Sequence, residues 1–107
     1  MKRRPEQQLQ RAILQYVNYH GFFIRVPTVG IWDEKIKMRR KTTQKGIADI
    51  IGIWNRQGFA PVPVAIECKV SPRKQTPEQK EFQQRWELAG GIYILAYNLE
   101  DVLKIIK

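Results

Sequence analysis

Val62-Pro63-Val64-Ala65-Ile66-Glu67-Cys68-Lys69 is an apolar run that ends on two charges of opposite sign. Its residue types predict a strand from about Val62 to Lys69, opened by Pro61 and Pro63. Side chains alternate across a strand. Glu67 and Lys69 therefore share one face, while Val64, Ile66 and Cys68 turn to the core on the other. Upstream, Gly46-Ile47-Ala48-Asp49-Ile50-Ile51 belongs to a second Ile-rich strand, predicted from Ile47 to Trp54. Aspartate is depleted in strands, so Asp49 there needs a reason. The link between the two strands, Asn55-Arg56-Gln57-Gly58, is turn-like and short, which lets Asp49 and Glu67 become neighbours in one sheet.

Working outward, Ser71 to Gln75 is polar and reads as a loop. Thr76-Pro77-Glu78-Gln79 is a helix start, with a capping hydroxyl, proline at the first position and glutamine at the third. Phe82, Trp86 and Ala89 form that helix's apolar stripe, and Gly90-Gly91 ends it. Ile92 to Ala96 is a further strand, and Asn98 caps a last helix. A helix crossing from the 62–69 strand to the 92–96 strand makes a βαβ unit and favours parallel pairing. On the other side, Leu9, Ala12, Ile13, Tyr16 and Val17 recur at helical steps, so a first helix is predicted from Pro5 to about His20, with a short strand over Phe22–Val26 behind it. Between 28 and 45 lie Lys35, Lys37, Arg39, Arg40, Lys41 and Lys45, with Trp32, Ile36 and Met38 at strand spacing. A basic hairpin arm turning near Asp33-Glu34 and an irregular loop are both open readings. The fold class is α/β: one domain spanning 1–107, with a mixed central sheet of about four strands flanked by helices.

Composition narrows the functional classes. Nineteen Lys and Arg against ten Asp and Glu give a formal charge of +9 on 107 residues. Such an excess favours a polyanionic partner, nucleic acid first and an anionic membrane surface second. The lone cysteine, Cys68, makes no internal disulfide, and with a single histidine, His20, it leaves too few ligands for structural zinc. No apolar run approaches the ~18 residues of a membrane span, and the basic N-terminus is not followed by a signal-type apolar stretch. The expected location is the cytoplasm.

Two carboxylates that meet without a partner repel, and one stays protonated. A divalent cation removes the conflict. Oxygen ligands with no His or Cys cluster point to Mg²⁺ or Mn²⁺, which can lower the pKa of water and stabilise charge on phosphate. Lys69 beside such an ion could orient or deprotonate water, or hold developing negative charge. A bare Glu-x-Lys arises by chance in many proteins, as a strand-edge ion pair. The preceding Asp-bearing strand and turn make a two-part pattern of it. Glu6 lies on the apolar face of the first helix, and is either a further ligand or a carboxylate favoured by the helix dipole. Gln79 has a sufficient role in a capping box, yet lies on the face that could reach Lys69 or a phosphate.

Glu6, Gly46-Ile47-Ala48-Asp49, Ile66-Glu67-Cys68-Lys69, Thr76-Pro77-Glu78-Gln79 and Gly90-Gly91-Ile92-Tyr93 together resemble the VRR-NUC domain, a branch of the PD-(D/E)XK nuclease superfamily, over nearly the whole chain. The resemblance implies a restriction-endonuclease-like core, divalent-metal catalysis and cleavage of branched DNA, including Holliday junctions. It also implies a homodimer, as in stand-alone members found in phages and bacteria. By resemblance, Asp49, Glu67 and the Cys68 carbonyl would be metal ligands, Lys69 the catalytic lysine, and Glu6 and Gln79 supporting groups. Ala48 departs from the family, which usually has proline before the aspartate.

The arm at 28–45 and Lys2, Arg3 and Arg4 are the expected phosphate contacts, with Arg73 and Lys74 as helpers behind the catalytic strand. Trp32 is left open between base stacking and an interface. Competing readings are a restriction-type duplex endonuclease, for which no recognition segment is apparent, and a non-catalytic DNA-binding module on the same fold.

Overall fold

The computed structural model describes residues 5–27, 31–33, 38–40 and 45–107, with 31–33 and 38–40 described through their backbone alone. Helix α1 (Pro5–Val17) leads into β1 (Gly21–Arg25). It ends earlier than the apolar periodicity predicts, because Asn18 takes over the chain reversal. The Asn18 side chain donates to the Leu14 carbonyl and accepts from the Phe23 N–H. Strands β2 (Ile31–Asp33) and β3 (Met38–Arg40) pair antiparallel, Ile31 opposite Arg40, which agrees with the hairpin reading of the arm.

Strands β4 (Ile50–Trp54), β5 (Val62–Cys68) and β6 (Ile92–Ala96) join β1 in a mixed sheet of order β1-β4-β5-β6. β4 is antiparallel to β1 and β5, whereas β5 and β6 run parallel across the helix α2 (Pro77–Leu88), as a βαβ crossover requires. A short α3 (Leu99–Leu103) follows, capped by Asn98, whose side chain accepts from the Asp101 N–H at 3.0 Å.

The sheet is covered on both sides. Ile13 and Val17 of α1 and Val102 of α3, with Ile106 after it, pack on Phe23, Ile50, Val64, Ile66, Cys68 and Ile94. On the other face, Phe82 and Trp86 of α2 pack on Ala48, Ala65 and Tyr93. A central strand buried on both faces tolerates a charge only where something compensates it. β5 obeys this until Glu67. Two-sided burial also explains why β5 is apolar almost throughout rather than alternating. Among the described residues no helix is long and apolar enough to cross a membrane.

Candidate active site

Asp49 sits on a bend immediately before β4, which begins three residues later than the Ile47 start predicts. The Asp49 carbonyl accepts from the Val26 N–H at 2.8 Å, and the carboxylate Oδ2 accepts from the Cys68 N–H at 2.8 Å. The aspartate thus ties the start of β4 to the end of β5. Ile50 is in register with Ile66, so one further antiparallel step sets Asp49 beside Glu67.

Glu67 is only 2 % exposed. Its Oε1 accepts from Gln79 Nε2 at 2.8 Å. Gln79 in turn accepts from the Thr76 N–H through Oε1 at 2.9 Å, while its own N–H donates to Thr76 Oγ1. One end of the Gln79 amide thus closes the expected capping box, and the other holds Glu67. Among the described residues Glu67 Oε2 is buried with no donor.

Burial pushes the Glu67 carboxyl up to about 8, with the charges of Asp49 and Glu6 adding to the rise and Lys69 opposing it. Asp49 is raised as well, again by burial first. The Cys68 N–H and the Lys69 charge pull it back, while Glu6 pushes it further up. Near neutral pH the Asp49–Glu67 pair therefore shares a proton. Above that range the pair carries two negative charges, one of them on a fully buried residue.

Lys69 is 8 % exposed, just beyond β5, with its N–H donating to the Ala96 carbonyl at 2.9 Å. It is the cation that lowers both carboxylates. Glu6, in the first turn of α1, contributes to the field on both, and its Oε2 lies 3.4 Å from Arg73 Nη1. The first turns of α1 and α2 therefore face one place at the end of β5. Helix N-termini present unpaired N–H groups and favour anions, phosphate included.

The donor set suits a hard divalent cation in part. Glu67 Oε2 lacks a partner, and the two carboxylates, once both ionise, carry more negative charge than Lys69 alone neutralises. Among the described residues, however, no three His, Cys, Asp or Glu side chains converge closely enough to form a closed cage. Any ion here would complete its shell with backbone carbonyl, water or phosphate oxygens, as Mg²⁺ sites commonly do.

Lys2, Arg3, Arg4, Lys35, Lys37 and Lys41 lie outside the described residues, as do the side chains of Arg39 and Arg40. Lys45 lines a hollow on α2 with Glu78, Glu81, Phe82, Arg85 and Trp86. Arg73 is exposed and anchored, its carbonyl accepting from Tyr97 Oη at 2.7 Å, and Lys74 is exposed. Sequence reasoning did not single out Arg11 and Arg25, which line a cleft between α1 and β1 with Gln7, Gln10 and Leu14. It also missed the support behind Gln79, where Gln75 Nε2 donates to Gln83 Oε1 and to Tyr93 Oη. Neither carries a sequence motif, since both depend on tertiary juxtaposition.

A mixed sheet of this order, with a bend aspartate, a Glu-x-Lys strand end and flanking helices, has the restriction-endonuclease-like architecture. A solved structure described as a VRR_NUC domain protein superposes on it with a TM-score of 0.64 at 19 % identity, covering 99 % of this chain and 88 % of that one. The likeness establishes the fold. No family model matches the sequence, and no curated protein matches it.

Proposed function

We propose that this chain is a metal-dependent endonuclease that hydrolyses DNA phosphodiesters, with Asp49, Glu67 and Lys69 as its catalytic centre. The observation that carries the reading is the pairing of half-buried Asp49 with buried Glu67, whose second oxygen is unpartnered, beside buried Lys69. Buried like charges are costly, and proteins keep them where a ligand or reaction uses them.

In this reading Asp49, Glu67 and the Cys68 carbonyl hold Mg²⁺ or Mn²⁺, with Glu6 in support. The ion supplies Lewis-acid stabilisation of charge on the scissile phosphate. Asp49 keeps Oδ2 on the Cys68 N–H, so Oδ1 would be the oxygen that meets the ion. Gln79 orients Glu67 through Oε1 and so leaves Oε2 available. In the same reading the Lys69 amine orients the attacking water or neutralises charge that develops on the phosphoryl oxygens. The helix N-termini of α1 and α2 add to that positive field.

The preferred substrate we propose is branched DNA, a Holliday junction above all, resolved by a homodimer. The support is the sequence resemblance, the net charge of +9 and the need of a four-way junction for two symmetric cuts. Labelled junction, flap, single strand and linear duplex, incubated with Mg²⁺ or Mn²⁺, test it. Paired symmetric nicks in the junction support the reading, and cleavage of linear duplex at one motif supports the restriction-type alternative instead. Asp49→Ala, Glu67→Ala and Lys69→Ala should each abolish cleavage and keep junction binding. Normal cutting by any of them refutes the site.

A further inference from the structure

Helix α2 packs on β5, β6 and Ile51 of β4, and among the described residues it leaves the rest of that face of the sheet toward β1 uncovered. On the β1–β4 half Phe22 stands opposite Ile53 in register and remains 73 % exposed, with Ile24 and Ile53 exposed beside it. This uncovered face runs into a groove of about 1070 Å³, lined among others by Tyr19, His20, Phe22, Arg56, Phe59 and Lys107. Tyr19 is 82 % and Phe59 70 % exposed. The Arg56 guanidinium lies over the rings of both Trp54 and Phe59, 5.4 and 5.3 Å from their centroids. It donates to the Ala60 carbonyl at 3.3 Å and, among the described residues, meets no carboxylate.

We infer that this groove binds a single-stranded stretch of nucleic acid, whose bases stack on Phe22, Phe59 and Tyr19 while Arg56 and Lys107 meet its phosphates. Charge complementarity selects that occupant. The described lining holds two permanent cations, one histidine and no acidic side chain. A second copy of the chain carries +9 and would bring Arg56 and Lys107 against like charges in a two-fold contact. An apolar peptide would leave the cations unanswered. Exposed aromatic rings interleaved with arginine and lysine are the equipment of a base-stacking platform, tolerant of sequence because every base has a π face.

The groove is separate from the carboxylate pair. Trp54 pairs with Val62 at one end of β5, and Asp49 meets Cys68 at the other. Seven residues of strand separate the two places by roughly 20 Å. A substrate with duplex at the catalytic end and an unpaired stretch at the groove would be held at two points.

Binding is measured by fluorescence polarisation of a labelled fifteen-nucleotide oligothymidylate in EDTA, so that the result is independent of metal and cleavage. Phe22→Ala/Phe59→Ala should weaken oligothymidylate binding by about tenfold or more and blunt-duplex binding by less than about twofold. Phe22→Leu/Phe59→Leu keeps the apolar surface without the aromatic faces, and should fail to restore affinity. Full restoration by leucine, equal loss for both oligonucleotides, or unchanged affinity overturns the inference. So does a wild-type dimer, seen by sedimentation, that the alanine variant breaks without changing oligothymidylate affinity, since the face would then join copies of the chain.

Discussion

Gln79 Nε2 donates to Glu67 Oε1 at 2.8 Å, so the first turn of α2 is bonded directly to the end of β5. The same side chain closes the helix cap at Thr76. Cap and site are therefore one unit. Gln79→Glu keeps an acceptor for the Thr76 N–H, but sets a third carboxylate against Glu67. We expect cleavage to fall by more than about tenfold, the scale on which supporting residues of a metal site act. The loss in melting temperature should be small at pH 5, where the carboxylates share protons, and larger at pH 8. Equal activity of Gln79→Glu and wild type would leave Gln79 a capping residue only.

Glu67 also gives the metal-free protein a pH dependence. Its folded-state value of about 8 lies above the ordinary 4.5. A group raised in this way stabilises the fold below the ordinary value, and that contribution is lost as pH rises through the raised one. Asp49 is raised as well and acts in the same sense. In EDTA the melting temperature should fall between pH 5 and pH 9. Glu67→Gln, which cannot ionise, should flatten the fall and melt higher than wild type at pH 9, by roughly 4–8 °C for each kcal/mol recovered in a domain of this size. Parallel curves for the two proteins would contradict the assignment.

Asp49 does structural work that its chemistry conceals. Its Oδ2 accepts the Cys68 N–H. Asp49→Ala leaves that buried donor unsatisfied and should cost about 1–3 kcal/mol in urea denaturation. Asp49→Asn keeps an acceptor there and should cost less, while both variants lose cleavage. Equal destabilisation by the two would show that the Cys68 bond contributes little.

Gly46 has φ +81°, and a Cβ on it would come 2.3 Å from the Glu78 carbonyl oxygen and 2.9 Å from the Gln79 nitrogen. This backbone contact sets the distance between the segment before Asp49 and the start of α2. Gly46→Ala must displace one of them, at an expected cost of about 1–3 kcal/mol. Activity should fall with it, because Gln79 moves relative to Glu67. A fully active Gly46→Ala protein of wild-type stability would contradict the packing described.

Cys68 is fully buried, and burial together with the charges of Asp49 and Glu67 pushes its thiol far above the ordinary range. The thiolate is the reactive form. The native protein should resist a disulfide-exchange reagent over hours and react within minutes in strong denaturant. Fast labelling under native conditions would mean that the end of β5 opens readily.

The parts of this molecule legible in the sequence are those set by local chemistry. The Thr76–Gln79 cap, the parallel β5–β6 crossover, the inward Cys68 and the Asn98 cap all follow from nearest neighbours and strand alternation. The boundaries that moved did so for tertiary reasons: Asn18 ended α1 by bonding to Phe23, and Asp49 left its strand to meet the Cys68 N–H. Of the basic groups that the sequence marks for DNA, Lys45 lines a hollow with Glu78 and Glu81, and Arg73 lies 3.4 Å from Glu6. Charge counts along a chain carry no information about such pairings. The aromatic groove was invisible for the same reason, since Tyr19, Phe22, Arg56 and Phe59 come from two distant turns.

Titration calorimetry with Mn²⁺ at pH 7.5 bears most directly on the central claim. The wild-type chain should show saturable binding accompanied by proton release, because the ion displaces the proton shared by Glu67 and Asp49. Asp49→Asn and Glu67→Gln should each lose that heat, while Phe22→Ala keeps it. Saturable binding that survives unchanged in both carboxylate variants, or no binding by the wild type, would contradict the account.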